Sequence, residues 1–182
     1  MKINVVGTSG TGKTTVAYRL AEGLDLPVIS MDRLQFRPNW QIAPNDEFFA
    51  DLRAALAATP GWILDGNDHR TREIKWRDVD MIVWVDTGFW RTLRQALGRA
   101  IQRIRTGEEL WPGTGNRESV RRTFFSRESV LLWTLKTWRS HRRRYEQVMQ
   151  DPRYAHIRFV RLRTREDVEV LVEEVRGRTE KT

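Results

Sequence analysis

The feature that most constrains the fold is a glycine-rich string near the start of the chain. Residues 7–14 read Gly-Thr-Ser-Gly-Thr-Gly-Lys-Thr and fit the pattern G-x-x-x-x-G-K-[ST], the Walker A motif. An apolar run over residues 3–6 precedes the string and predicts a short buried strand, and a helical pattern follows over residues 12–22. A strand, this loop and a helix in that order predict a phosphate-binding loop.

Each residue type in the loop suits the binding of phosphate. Glycines allow backbone N–H groups to turn toward an anion, and the start of the following helix adds the positive end of its dipole. Lys13 is predicted to bridge the β- and γ-phosphates, and the Thr14 hydroxyl to ligate Mg²⁺. Thr15 either packs or contacts the α-phosphate. The other predicted nucleotide-binding residues are Gly7, Thr8, Ser9, Gly10, Thr11 and Gly12.

Apolar runs alternate with amphipathic stretches along the chain, which is typical of parallel α/β proteins. After the first strand, strands are predicted at residues 27–30, 62–64, 81–85 and 156–162. Helices are predicted at residues 12–22, 45–58, 89–105, 117–125, 129–149 and 165–175, with Gly23 ending the first and Asn45 capping the second. The pattern predicts one domain over residues 1–182, with a parallel sheet and helices on both faces.

Charge is distributed unevenly. The formal net charge is +8, yet residues 88–150 alone have 14 Lys and Arg against five Glu, a net of +9. Clustered arginine predicts a polyanionic partner, either nucleotide phosphates or nucleic acid. The chain has no cysteine, three histidines, no signal-peptide pattern and no apolar run near the ~18 residues of a membrane span. These features exclude disulfides and predict a cytoplasmic protein that stays out of the membrane.

The early phosphate-binding loop, the five strands and the Arg-rich insertion together resemble the adenylate kinase-like P-loop kinases. Residues 62–67 (WILDGN), 115–119 (GNRES) and 124–133 (FFSRESVLLW) resemble more closely the FlaR-like group of DNA topology modulation proteins. The likeness extends to about residue 145. It implies a three-layer P-loop NTPase fold with strand order 2-3-1-4-5 and an Arg-rich helical lid at about residues 106–128.

The resemblance also implies roles for two carboxylates. Asp65, at the end of the third strand, would hold Mg²⁺ directly or through water. Asp32, after the second strand, would bind the acceptor or take its proton. Residues 65–70 read Asp-Gly-Asn-Asp-His-Arg, which departs from the Asp-Gly-Phe-Pro-Arg of adenylate kinases. Recognition of AMP is therefore not implied.

Arginines of the basic segment would meet the phosphates. Arg99, which follows Gly98 at the entry to the lid, and Arg117 are the catalytic candidates, because phosphoryl transfer needs cations around the equatorial oxygens. Arg94 would lie near the adenine. Two aromatic residues, Phe36 and Trp40, either wall an acceptor pocket or pack internally. The aromatic residues of the predicted helix 129–149 either stack on bases or pack on the core.

These observations predict ATP- and Mg²⁺-dependent phosphoryl transfer to a small acceptor: a nucleotide, a nucleoside or another hydroxyl-bearing metabolite. The alternative is a nucleotide-gated nucleic-acid-binding protein of the DNA topology modulation type, for which the basic segment speaks. A third hypothesis is an NTPase whose only acceptor is water. The acceptor, the choice between ATP and GTP and the oligomeric state stay open at this point.

Overall fold

The computed structural model describes residues 1–120 and 130–179 of the chain, with the backbone alone for residues 130–136 and 178–179. Five short strands form one parallel sheet in the order β2-β3-β1-β4-β5. The strands are β1 (Lys2–Val6), β2 (Val28–Ser30), β3 (Trp62–Asp65), β4 (Met81–Val85) and β5 (Arg158–Leu162). This arrangement confirms the predicted sheet and its strand order.

Helices connect the strands. The α-helices are α1 (Lys13–Leu24), α2 (Met31–Gln35), α3 (Asn45–Ala57), α4 (Arg72–Lys75), α5 (Phe89–Thr106), α6 (Val130–Val148) and α7 (Arg165–Thr179). Short 3₁₀ turns lie at Pro38–Trp40, His69–Thr71 and Pro152–Tyr154. Helices α2 and α4 and the three turns were not predicted, because segments of three to five residues are too short to show a period. Within the described part of the chain, no helix is both long and apolar enough to cross a membrane.

The sheet carries a separate apolar core on each face. One core packs α1 and α7 against β1 and β4 and includes Leu20, Val83 and Leu171. The other packs α3, α4 and α6 and includes Phe48 and Trp84. Because both faces are covered, the strands are nearly continuous apolar runs, as expected for a parallel sheet between two helical layers.

Two predicted helix ends were wrong. Helix α1 continues through Gly23 and ends at Leu24; Asp25 caps it with a left-handed backbone at φ 52°, and the Asp25 N–H donates to the Ala21 carbonyl. Asn45 is the first residue of α3 rather than its cap, and Pro44 precedes it. Its side-chain oxygen instead accepts a hydrogen bond from Arg70 at 2.7 Å. A backbone hydrogen bond thus closes the end of α1, and the Asn45 side chain bonds a residue distant in the sequence instead of capping α3.

The segment after α5 differs from the prediction. Residues 107–119 form a loop in which Glu109 and Arg117 make an isolated antiparallel bridge, so the helix predicted over residues 117–125 does not begin at Arg117. The remainder of that helix and the beginning of the one predicted from residue 129 lie outside the described residues. The proposed lid at about residues 106–128 is therefore described only as far as residue 120.

Candidate functional site

The phosphate-binding loop joins β1 to α1. The Thr8 carbonyl accepts from the backbone N–H of Thr11 at 3.2 Å and from its hydroxyl at 2.9 Å, which closes the loop on itself. Gly12 precedes α1 with a left-handed backbone at φ 92° and offers no side-chain cap. The first N–H groups of α1 thus remain available to the oxygens of an anion, and the helix dipole favours negative charge there.

Gly10 is where the loop meets helix α5. Its φ is +90°, and a Cβ there would come within 2.7 Å of the Thr92 carbonyl and 2.8 Å of Ala96. Only glycine satisfies both the backbone conformation and the close approach. The loop is therefore held against the N-terminal half of α5, which brings the basic helix to the phosphate-binding residues.

Asp65 meets the loop from the neighbouring strand. Its partner in the β1–β3 register is Val5, and the Thr14 hydroxyl donates to Asp65 Oδ2 at 2.7 Å. Asp65 is 6% exposed, and its buried Oδ1 accepts no hydrogen bond from any described residue. The Lys13 ammonium lies 3.9 Å from Oδ1. A hydroxyl and an unsatisfied carboxylate oxygen are the hard donors that Mg²⁺ prefers, so these residues fit that ion.

The protein alone would supply few ligands to such a metal. Among the residues that the structure describes, no three or more His, Cys, Asp or Glu side chains cluster to hold an ion. Mg²⁺ commonly binds through one or two protein oxygens and takes its other ligands from phosphates and water. Thr14 and Asp65 therefore suit a metal that arrives with a nucleotide.

Asp32 faces the same charges from the end of β2. It lies in the first turn of α2, after Ser30, whose hydroxyl caps the helix. Part of its surface is accessible to water, yet the surrounding protein desolvates its carboxyl and raises the pKa of that group above the ordinary 3.8. The Lys13 ammonium opposes that rise, and the Asp65 charge adds to it. Asp32 is thus electrostatically coupled to the phosphate-binding loop.

Arg99 is the arginine that contacts the loop directly. Its guanidinium donates to the Ser9 hydroxyl at 3.0 Å. Burial, and then the neighbouring Arg103, lower the pKa of Arg99, while Glu118 opposes that effect. Arg103 lies one turn further along α5 and approaches Glu118 at 3.8 Å. Cationic charge is therefore concentrated beside the loop, where a transferred phosphoryl group would carry its negative charge.

Other predicted residues lie elsewhere. Arg117 is exposed and lies beside Gly107, opposite Glu109 in the antiparallel bridge, at the end of α5 that is remote from the phosphate-binding loop. Thr15 is exposed on α1. Arg94 lies two positions from both Thr92 and Ala96, so it is on the opposite side of α5 from the loop. There it lines an outer groove of about 750 Å³ with Trp90, Arg91, Leu93, Gln95, Leu97 and Arg165.

Sequence reasoning missed Asn116. It is 1% exposed, its side-chain oxygen accepts from the Trp40 N–H at 2.8 Å, and its amide donates to the Arg37 carbonyl at 2.9 Å. Trp40 has a left-handed backbone at φ 61°, which is strained for a bulky residue. Asn116 therefore holds the segment after α2 in a conformation that its own sequence does not favour.

Aromatic rings complete that contact. Phe36 stacks on Trp111 with ring centroids 4.8 Å apart, and Trp40 meets both rings edge-on. Phe36 and Trp40 thus pack on the 107–119 loop, which favours the packing alternative for these two residues. The loop beyond α5 is joined in this way to the segment beside Asp32. On α6, Tyr145 is buried and stacks on Trp84, so it also belongs to the core.

Comparison with known proteins places these features in a fold. Residues 3–64, about a third of the chain, match the family described as ATPase family associated with various cellular activities (AAA). That segment contains β1, the phosphate-binding loop and β3 almost to Asp65. No curated protein is significantly similar to the chain in sequence.

Solved structures resemble the whole chain. A gluconokinase from Sinorhizobium meliloti 1021 is 18% identical with a TM-score of 0.53, over 99% of this chain and 91% of that one. A shikimate kinase from Bacteroides thetaiotaomicron is 14% identical with a TM-score of 0.51, over 99% and 98%. An uncharacterized protein from Eubacterium ventriosum ATCC 27560 is 16% identical with a TM-score of 0.51, over 100% of both. At these identities the likeness establishes the fold alone, that of P-loop NTPases.

Proposed function

We propose that the chain is an ATP- and Mg²⁺-dependent kinase that transfers a phosphoryl group to a small hydroxyl-bearing acceptor. The observation that carries the proposal is the meeting of Lys13, Thr14 and Asp65 at one point, with Thr14 bonded to Asp65 at 2.7 Å and Lys13 3.9 Å away. Asp32 and Arg99 face the same point from two other elements. A cation for phosphate, a metal site, a base and an arginine are the parts that phosphoryl transfer needs.

Each residue has a separate task in this proposal. The backbone of residues 7–12 and the start of α1 bind the phosphates, and Lys13 neutralises the β- and γ-oxygens. Thr14 and Asp65 would hold Mg²⁺, which supplies positive charge to the phosphate oxygens when bound. Asp32 accepts the proton of the acceptor hydroxyl, for which a raised carboxyl pKa makes it a stronger base. Arg99 stabilises the charge of the transferred group.

The remaining predicted contacts have weaker support. Arg94 could stack on the nucleotide base within the outer groove that it shares with Trp90 and Arg165. It lies on the side of α5 away from the loop, so its support is less than that of Arg99. Arg117 would need the loop beyond α5 to move before it reached a phosphate. Thr15 stays a proposed α-phosphate contact.

The finer family assignment is also a proposal. The strings at residues 62–67, 115–119 and 124–133 support membership of the FlaR-like group among adenylate kinase-like kinases. Two of the solved structures with a similar fold are described as a gluconokinase and a shikimate kinase, which supports a small-molecule acceptor rather than a macromolecule. The nucleic-acid alternative receives less support because Arg103 and Arg142 approach carboxylates within the chain, which offset part of the basic charge.

The experiment is ADP release from Mg·ATP against pooled acceptors: nucleoside monophosphates, nucleosides, sugars and hydroxy acids. We expect one pool to raise ADP release in the wild type and Lys13→Ala to abolish the rise. Lys2→Ala is the matched control, because it is the backbone N–H of Lys2 that bonds Asp80 at the start of β1. Equal ADP release with every pool and without any acceptor would contradict the proposal.

A further inference from the structure

A small polar recess lies beside the candidate site, on the sheet face covered by α4 and α6. Its lining consists of Asn67, His69, Arg72, Lys75, Trp76, His141, Arg144 and Tyr145. Five of these side chains are basic, and none is acidic. Asn67 and Tyr145 both line the recess, so the end of β3 and helix α6 meet there.

Lys75 is the central residue of the recess. It is 2% exposed, and no carboxylate among the residues that the structure describes forms an ion pair with it, which is rare for a buried lysine. Its ammonium donates to the Asp68 carbonyl at 3.0 Å and makes a weak contact to the Met31 sulfur at 3.9 Å. An ammonium has three donors, and these two partners are neutral. A buried cation held by neutral groups has a strong need for an anion.

The nearest carboxylate does not meet that need. Asp68 lies beyond the lining of the recess, and its carboxylate is bound by the Arg70 side chain, with Nε donating to Oδ2 at 3.0 Å. Arg72 lies over the Trp76 ring at 4.9 Å and contributes more positive charge. Burial, only partly opposed by Asp68, lowers the pKa of Lys75 to about 7. Arg72 and Arg144 keep the recess cationic, and an anion placed beside Lys75 would favour the charged form of its ammonium.

The recess adjoins both proposed active-site carboxylates. Asn67, in its lining, follows Asp65 by two residues, and Lys75 contacts Met31, the residue before Asp32. Its interior is small, with room for about one oxygen atom, while Arg144 and His69 are exposed at its rim. An anionic group at the rim can place one oxygen on Lys75 and the others on the rim cations.

We propose that this recess binds an anionic group, phosphate or carboxylate, of the molecule that accepts the phosphoryl group. Lys75 receives one oxygen from inside, and Arg144 and His69 receive the others at the rim. The inference rests on the proposed function, since it assigns the acceptor an acidic group in addition to its hydroxyl. Arg70 is bound to Asp68 and Asn45 and does not line the recess, so the cations available to the anion there are Lys75, Arg144 and His69.

Direct binding tests the recess independently of catalysis. The probe is inorganic phosphate, titrated by calorimetry into protein saturated with Mg²⁺ and the β,γ-imido analogue of ATP, so that the phosphate-binding loop is occupied. We expect the wild type to bind phosphate, and both Lys75→Met and Arg144→Gln to weaken that binding by at least tenfold. Arg77→Gln is the matched control, because Arg77 is exposed near α4 and does not line the recess.

Arg144→Gln keeps the test valid if Lys75→Met fails to fold, since Arg144 is exposed on α6. No phosphate binding by the wild type, or binding that both variants leave unchanged, would overturn the inference. Binding that survives while no acceptor raises ADP release would leave the recess intact and defeat the proposed kinase function instead.

Acceptors that share one scaffold distinguish carboxylate from phosphate. Glucose, gluconate and glucose 6-phosphate differ in their acidic group, and nucleosides pair with their monophosphates in the same way. We expect acidic members to have the lower KM, and Lys75→Met to raise that KM by at least tenfold while leaving neutral acceptors unchanged. A preferred neutral acceptor whose KM does not depend on Lys75 would overturn the inference and leave the kinase function standing.

Discussion

At the scale of single residues, Asp65 is the side chain whose environment most clearly requires a ligand. Its Oδ1 is buried without a hydrogen bond from the described residues, while Oδ2 is bonded to Thr14. We expect Asp65→Asn to raise the Mg²⁺ concentration that gives half-maximal ADP release by about 10–100-fold, the usual loss of metal affinity when a residue around a metal is changed. The measurement is activity against Mg²⁺ concentration, with Asp78→Asn, an exposed loop carboxylate, as control. Unaltered Mg²⁺ dependence would contradict the assigned metal site.

The role proposed for Asp32 implies that catalytic activity depends on pH. Desolvation raises the pKa of its carboxyl above 3.8, and only the ionised form can accept the proton of an acceptor. Activity should therefore rise with pH through this raised pKa and level off above it. We expect Asp32→Asn to remove the rising limb and to lower kcat by about 10²–10⁴-fold, the usual contribution of general base catalysis. A kcat/KM profile against pH checks this, and a limb that persists in the variant would assign the base elsewhere.

The burial of Lys75 implies that the free energy of unfolding depends on pH. Burial lowers its folded-state pKa from 10.5 to about 7, with Asp68 opposing and Arg72 adding to that shift. Between these values the unfolded chain binds the proton and the folded chain does not, so stability rises with pH from about 7 and stops rising near 10.5. Between pH 7 and pH 9 we expect the wild type to gain about 2–3 kcal/mol relative to Lys75→Met. Denaturant unfolding at both pH values measures it, and parallel curves for the two proteins would refute it.

At the scale of elements, the loop of residues 107–119 and the segment after α2 act as one unit. Asn116 donates and accepts across this contact and holds Trp40 in its strained backbone. We expect Asn116→Ala to lower the free energy of unfolding by about 1–3 kcal/mol, because it leaves buried backbone groups unsatisfied. It should also raise the KM for the acceptor, since the segment that Asn116 holds directly follows α2, which carries Asp32.

The control for that prediction is Asn45→Ala. It removes the same kind of side chain from an exposed hydrogen bond with Arg70. Thermal unfolding and acceptor KM should change much less in this variant. Equal effects of the two substitutions would show that the Asn116 contact has no special part in holding the acceptor side of the site.

Strands and helices could be predicted from the sequence where neighbouring residues alone carry the pattern. Residues 81–85 form an apolar run between two aspartates, and β4 has those bounds, while the Walker A string placed the loop and α1. Asn116 was not predictable, because its partners lie 76 and 79 residues away in the chain. The recess was equally hidden, because Lys75 becomes buried only when α4, α2 and the end of β3 pack together. Local patterns thus predicted the phosphate side of the site, and tertiary packing determined the acceptor side.

At the scale of the whole molecule, the sheet order explains where the site lies. The register places Val5 of β1 beside Asp65 of β3, and β2 pairs with β3 on the other side and leads into α2 and Asp32. The ends of neighbouring parallel strands meet at one edge, where open α/β sheets bind their ligands. The phosphate-binding loop, Asp65 and Asp32 therefore lie close together because the strands that precede them are adjacent.

Some arginines of the basic segment over residues 88–150 have partners within the chain. Arg99 contacts Ser9, Arg103 approaches Glu118, and Arg142 lies 3.6 Å from Asp86. Nucleic-acid binding through phosphate contacts should therefore be weak, and what there is should fall steeply between about 50 and 200 mM salt. Tight duplex binding that persists at 200 mM salt in a gel-shift titration would contradict this account of the charge.

The most direct test of the central claim follows the fate of the γ-phosphoryl group of ATP. The wild type is incubated with Mg·ATP and the acceptor pool that raises ADP release, and phosphorus NMR distinguishes a phosphoester product from inorganic phosphate. We expect a new phosphoester that appears together with ADP and is absent with Lys13→Ala. Formation of inorganic phosphate alone, at the same rate with and without acceptor, would show that water is the acceptor and would contradict the proposed kinase function.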